Sequence, residues 1–318
     1  TFVFQTLAAF DKVAQTPFDA PFYGRVGTPT GFAFEEAMAE LEGGHRAIAY
    51  PSGLAAITAV LFAFLRAGDH VLIVDSCYGP TRRTADRTLG RMGVTASYYD
   101  PALGAGIADL IRPETRLIFL ESPGTGTFEV QDLPAITAVA RARGIATAID
   151  ATWATPLFLR PLALGVDVSI HAATKYIAGH SDAMLGVATV NADRYDDLRR
   201  ATQDLGCVAG SEEVNLGLRG LRTLEARLMR HQSSALAVAG WLAGRPEVGR
   251  VFYPALPGAP GHDLWKRDFT GASGLFSIEL PGMSAERLAA MVDGLIYFKI
   301  GFSWGGYESL ALPAHPET

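Results

Sequence analysis

Charge is sparse in this chain, and strongly basic runs are missing altogether. Asp, Glu, Lys and Arg make up 19% of the 318 residues, the net charge is −6, and no Lys/Arg run is longer than a pair. The electrostatic footprint of a nucleic-acid binder is therefore absent, and nucleic acid is not an expected partner. A charged fraction below the average of about 25% points to surface covered by a second subunit rather than by water. Cysteine is scarce too: Cys77 and Cys207 stand alone, with no CxxC and no histidine at ligand spacing. That argues against a disulfide scaffold and a structural zinc, and fits reduced thiols in a cytoplasm. The longest apolar run, GLAAITAVLFAFL at 53–65, is too short to span a bilayer, and no basic segment precedes an apolar one at the start. A soluble, cytoplasmic protein with no membrane partner is expected.

Several familiar catalytic signatures are also lacking. GTGTFE at 124–129 begins like G-x-G-x-x-G, but Glu129 stands where the third glycine belongs. GxxxxGK[ST] and G-x-S-x-G do not occur, so nucleotide-loop and serine-elbow chemistry have no support. The seven histidines (45, 70, 171, 180, 231, 262 and 315) show neither HExxH nor carboxylates at metal spacing, and no metal site is expected.

What is present is alternation. FEEAMAELEGG reads as a helix closed by glycine, AIAY as a strand, and SGLAAITAVLFAFLRAG as a helix opened by Ser52. Apolar strands follow at VLIV (71–74), RLIFLE (116–121), IATAID (145–150) and VDVSI (166–170), separated by helical segments such as DLPAITAVARARG. This pattern implies an α/β fold on a mainly parallel sheet covered on both faces. A long helical stretch, 211–245, then leads into a small α+β unit that includes SGLFSIEL, SAERLAAMVDG and LIYFKI. The boundary is placed near 221, and 318 residues suit two domains.

Open α/β sheets bind ligands at the C-terminal ends of their strands. There, Ser52-Gly53 joins a strand to a helix N-terminus, either an ordinary cap or a cradle for an anion such as phosphate. Tyr78 follows the strand 71–74 and either packs in its loop or stacks on a planar ligand. Asp150 ends an apolar strand, where a buried acid needs a partner. Lys175, in DVSIHAATKYIAGHSDAML, follows another strand. Alone it reads as a surface lysine; desolvated, its lowered pKa would free a neutral amine for a Schiff base with a carbonyl. Lys12, Lys266 and Lys299 have no acid-ended strand beside them. Taken together, a lysine, an acid for a pyridinium, and a phosphate cup from Ser52-Gly53, Ser169 and Thr174 are what pyridoxal 5'-phosphate (PLP) requires.

Seven motifs, YGRVGTPT, YPSGLAAI, DSCYGPT, ESPGT, AIDATWATP, SIHAATKYIAGHSDAMLG and SWGGYESL, resemble the successive signatures of the Cys/Met-metabolism PLP-dependent enzymes over essentially the whole chain. The resemblance implies the aminotransferase-like fold of type I. That fold has a large domain (31–221) on a mainly parallel seven-stranded sheet, a smaller C-terminal α+β domain (222–318), and an N-terminal arm (1–30) reaching the neighbouring subunit. It implies that Lys175 carries PLP and transfers protons, that Asp150 partners the pyridine nitrogen, and that Tyr78 stacks on the ring and assists proton handling. Ser52, the Gly53 and Leu54 backbone, Ser169 and Thr174 would hold the phosphate. Tyr23 and Arg25 would reach it from a second subunit, and Ser303 and Trp304 would line the substrate side. The implied assembly is a homotetramer of catalytic dimers with shared sites.

The implied reaction is β-elimination of L-cystathionine to homocysteine, pyruvate and ammonia. Members acting at the γ-carbon (cystathionine γ-lyase or γ-synthase, methionine γ-lyase) usually carry Leu where Trp304 stands, so Trp304 favours the β-lyase type. Leu54 replaces a methionine frequent in the family, and Val26 a basic residue common in the β-lyases. The family grips the substrate α-carboxylate with a late arginine, whereas the last arginine here is Arg287. The resemblance thus implies better cofactor binding than turnover for the chain as it stands. The alternative from another class is a PLP-binding regulator or scaffold with little turnover.

Overall fold

The structure, a computed structural model, describes residues 2–16 and 18–314, so His315 lies outside it. Seven strands form its main sheet: β1 (Arg46–Tyr50), β2 (His70–Val74), β3 (Thr95–Tyr99), β4 (Thr115–Glu121), β5 (Ala146–Asp150), β6 (Val168–His171) and β7 (Gly186–Val190). Their order is β1-β7-β6-β5-β4-β2-β3. Only β7 pairs antiparallel with its neighbours; the other pairings are parallel. The strands β2, β5 and β7 are buried along their whole length, as strands covered on both faces must be. Alternation along β1 divides its side chains between two cores. Ile48 and Tyr50 join the larger cluster, and Ala47 and Ala49 join a second one with Phe34, Met38 and Val187.

The first helix, α1 (Leu7–Ala14), buries no residue. The next, α2 (Pro29–Glu42), starts at Thr28, whose hydroxyl accepts from the Gly31 amide, and ends at Gly43 in the left-handed region. Helix α3 (Gly53–Phe64) is capped by Ser52 as expected. Short α4 (Gly79–Arg83), α5 (Leu133–Ala142) and short α6 (Thr155–Phe158) follow, and α7 (Ala192–Leu205) packs beside α3. The expected continuous helix over 211–245 is two helices, α8 (Ser211–Leu221) and α9 (Leu224–Ala243). At the break, the Arg227 guanidinium donates to Gly220 O at 2.9 Å and to Tyr176 O at 2.6 Å. Beyond it lie α10 (His262–Asp268), α11 (Ala285–Asp293) and an antiparallel pair, β8 (Arg250–Phe252) with β9 (Ser277–Glu279). LIYFKI, within the small α+β unit, forms only an isolated bridge, Lys299 with Leu310, and its Ile296 and Tyr297 are exposed.

Candidate active site

Six strands run in one direction and end at one edge of the sheet, and five of them, β1, β2, β4, β5 and β6, each supply one part of the site at or just past that end. Past β6, Lys175 sits in a tight turn in which its amide donates to Ala172 O at 2.9 Å. Its ammonium donates to Ser303 Oγ at 2.6 Å and lies 5.2 Å from the centre of the Trp304 ring. Burial lowers the Lys175 pKa from the ordinary lysine value, and the nearby negative charge of Asp150 opposes that fall. The outcome is a larger neutral fraction of an amine held against two side chains of the 303–304 segment.

That segment comes close only because of its glycines. A Cβ on Gly305, whose φ is +85°, would stand 2.9 Å from Tyr176 N and 3.0 Å from Lys175 C. Ser303 itself holds a φ of +117°, a strained conformation for a residue with a Cβ. The strain is spent at the residue that meets Lys175.

Asp150, at the end of β5, is buried and accepts from Thr152 N at 3.0 Å and from Thr152 Oγ1 at 2.5 Å. The same Thr152 hydroxyl oxygen accepts from the Ala172 amide at 2.8 Å, tying the acid to the Lys175 turn. Burial raises the Asp150 pKa, while the Thr152 hydrogen bonds and the charges of His171 and Lys175 pull it down. A cation brought beside Asp150 would compensate the buried carboxylate.

Past β1, α3 begins. Its first amides, Gly53 and Leu54, have no acceptor within the helix and carry the positive end of its dipole. Gly53 is needed there: a Cβ would come within 2.8 Å of Ala172 Cα. The helix start is thereby pressed against the turn that carries Lys175. Ser52 Oγ accepts from Ala55 N at 3.1 Å, and Leu54 is exposed.

Tyr78 follows β2 and is 44% exposed, leaving its ring free to face a ligand. Its amide donates to Glu121 Oε2 at 2.7 Å. Glu121 is a buried acid not anticipated from the sequence, although it ends β4 as Asp150 ends β5, with the two directly in register. Burial raises its pKa well above the usual carboxylate range, and the negative charge of Asp150 raises it further.

Four residues expected at the phosphate, Ser169, Thr174, Tyr23 and Arg25, make other contacts within the single chain. Ser169 does not face the cradle. It is fully buried and donates to Glu42 Oε1 at 2.8 Å, beside a Glu42–His171 contact. In register Ser169 aligns with Ile149, while Asp150 aligns with Ile170, so strand alternation turns Ser169 to the opposite face from the acid. Thr174 has its hydroxyl turned to Leu185, donating to its carbonyl at 3.0 Å and accepting from its amide at 2.8 Å. Arg25 donates to the Gln203 carbonyl of its own chain at 3.2 Å and to Gln203 Oε1 at 3.1 Å, and Tyr23 is exposed beneath it. Neither is gathered with Lys175 by these contacts.

A half-buried amine, a buried acid with no ion pair among the described residues and a helix N-terminus against the lysine turn fit one compact ligand. It would carry a carbonyl, a protonated ring nitrogen and a phosphate. The sequence profile described as Cys/Met metabolism PLP-dependent enzyme matches residues 1–318. The chain belongs to that family. Cystathionine beta-lyase MetC of Escherichia coli K12 is 47% identical over 299 residues, covering 93% of this chain and 76% of that one. An L-alanine/L-glutamate racemase of Wolbachia pipientis is 45% identical over 292 residues, 92% and 72% of the two chains. Among solved structures, cystathionine gamma-lyase from Lactobacillus plantarum complexed with L-serine superposes with a TM-score of 0.90 at 31% identity, covering 98% of this chain and 78% of that one. The family and the fold make this chain an α/β enzyme dependent on PLP, of the kind its strand-end residues suggested.

Proposed function

We propose that the enzyme cleaves L-cystathionine by β-elimination, releasing homocysteine, pyruvate and ammonia. The observation that carries the reading is the Lys175 amine held at 2.6 Å by Ser303 with the Trp304 ring beside it, in a chain 47% identical to a cystathionine beta-lyase. PLP, when bound, supplies the electron sink for the carbon that loses its proton. Lys175 Nζ takes that proton from the substrate α-carbon, and Ser303 Oγ, accepting from Nζ, holds the amine in place. Asp150 keeps the ring nitrogen cationic, and the Gly53 and Leu54 amides with Ser52 take the phosphate. Tyr78 covers the ring and shares in proton handling. Trp304 closes the substrate side against water.

The neighbouring subunit completes the pocket in this reading, through Tyr23 and Arg25 on an arm formed by residues 1–30. Residues 31–221 form the PLP-binding domain and 222–318 the small domain, the assembly is a tetramer of catalytic dimers, and it works in the cytoplasm. The break between α8 and α9 and the exposure of Tyr23 support this division. The deciding experiment is product analysis: the enzyme given cystathionine yields pyruvate and homocysteine. Dominant 2-oxobutyrate and cysteine would assign the γ-lyase reaction instead. No turnover with retained PLP would assign a binding protein. The racemase relative adds one control, since D-alanine formed from L-alanine at a rate rivalling pyruvate release would displace the lyase reading.

A further inference from the structure

Two loops meet at Glu121. The loop after β2 carries Ser76, Cys77 and Tyr78; the loop after β4 carries Gly124 and Thr125. Thr125 N donates to Ser76 O at 2.8 Å, and Gly124 lies so close to Ser76 that a Cβ there would overlap its side chain. Between the loops, Glu121 spends both carboxylate oxygens: Oε2 accepts from the Tyr78 amide at 2.7 Å, and Oε1 accepts from the Thr125 hydroxyl. The base of this carboxylate is fixed as well, because Gln131 Nε2 donates to Glu121 O at 2.8 Å and Gln131 Oε1 accepts from Tyr99 OH at 2.9 Å. The Cys77 thiol is pushed up to about 12 by burial and by the Glu121 charge, which places that carboxylate against the same stretch of chain.

We propose that Glu121 is a positioning residue for the PLP pocket, fixing the Tyr78 main chain so that the exposed ring stands over the cofactor. Tyr78 opens α4, yet no side chain caps that helix, and its hydroxyl has no partner among the described residues. With the ring free, the ring's place depends on the backbone, and the Tyr78 amide is held by Glu121. A part-buried amide left without its acceptor is unfavourable, so losing the carboxylate oxygen would let the loop move to find water. The inference rests on the PLP reading of the site.

The test uses the holoenzyme and two variants that separate reach from charge. Glu121→Gln keeps an acceptor oxygen at the same distance and removes the charge; Glu121→Asp keeps the charge and withdraws the oxygen by one methylene. Two quantities are measured on each: the PLP dissociation constant and the visible circular dichroism band that bound PLP gains from asymmetric surroundings. Glu121→Gln is expected to stay within about threefold of wild type in affinity and to keep the band. Glu121→Asp is expected to lose at least about tenfold in affinity and most of the band, matching Tyr78→Ala, with the double variant no worse than Tyr78→Ala alone. The reverse order, Gln impaired and Asp normal, would overturn the proposal in favour of a charge effect. Additive losses in the double variant would overturn it also. A wild-type protein showing no such band would refute the PLP reading itself, an outcome distinct from both.

Discussion

Replacing Gly305 by alanine adds one methyl group where Tyr176 N would lie 2.9 Å away, Lys175 C 3.0 Å and Lys175 Cα 3.1 Å. These are main-chain atoms of the turn that carries Lys175, so the neighbour cannot rotate aside. A left-handed alanine costs about 1–2 kcal/mol relative to glycine, and overpacking against backbone adds about 1–3 kcal/mol. Together that is about 2–5 kcal/mol at one residue. Opposing it is the Lys175–Ser303 hydrogen bond at 2.6 Å, worth at most about 1.5–3 kcal/mol for a charged donor. The strain wins, and the segment 303–306 lifts off the lysine. Because Asp150 and the start of α3 lie on other strands, the cofactor cradle stays in place. Gly305→Ala is therefore expected to bind PLP within about threefold of wild type while kcat/KM falls more than about tenfold. Gly301→Ala is the control, since its methyl group would meet only the flexible Leu310 side chain, at 3.3 Å, and should leave both quantities near wild type. Absorbance titration and steady-state kinetics on all three proteins check this. Unchanged turnover in Gly305→Ala, or equal damage from Gly301→Ala, would refute the reasoning.

Asp150→Asn should retain PLP yet lose most turnover, since an amide cannot hold the ring nitrogen cationic by charge; near-normal rates would remove Asp150 from that role. Mixing Arg25→Ala and Lys175→Ala subunits, each nearly inactive alone, should restore about a quarter of wild-type activity if Arg25 acts across the dimer, and none beyond residual levels if it serves its own chain. Burial raises both Asp150 and Glu121 above their ordinary values, and the negative charge of Asp150 raises Glu121 further. The folded state therefore binds more protons than the unfolded chain once pH exceeds the ordinary carboxylate range, and stability is lost as pH rises through the folded values. Glu121→Gln apoprotein should consequently gain on wild type in denaturant midpoint as pH is raised from about 4.5 towards 8, and a constant offset would count against the raised acid.

Much of the site was legible because a charge ending an apolar strand is unusual: Asp150 and Lys175 each break a run that otherwise reads as core. Glu121 carries the same signal in RLIFLE and shows that the rule reaches further than its first application. For Ser169, proximity along the chain to Lys175 says nothing about facing. Only the register, with Asp150 level with Ile170, shows that Ser169 looks the other way. The strands β3 and β7 are not evident from sequence because TASYY is largely half-exposed and GVATV starts with glycine. The role of Gly305 could not be read at all without coordinates, since it depends on a main-chain approach between residues far apart in the chain.

That separation bears on how the pocket comes into being. Lys175 and Ser303 are 128 positions apart, and the Glu42–Ser169 contact behind them joins residues 127 apart. No contiguous fragment shorter than most of the chain holds the helix start, the amine and its Ser303 partner in place together, so the pocket is a late product of folding whose contacts are mainly non-local. Cofactor affinity then belongs to the finished protein alone. Ligand that binds only the native state adds RT ln(1 + [L]/Kd) to its stability, about 2.7 kcal/mol at a hundredfold excess over Kd. The supply of PLP during synthesis thus acts on how much of the chain survives as enzyme, as well as on how much of the enzyme is active.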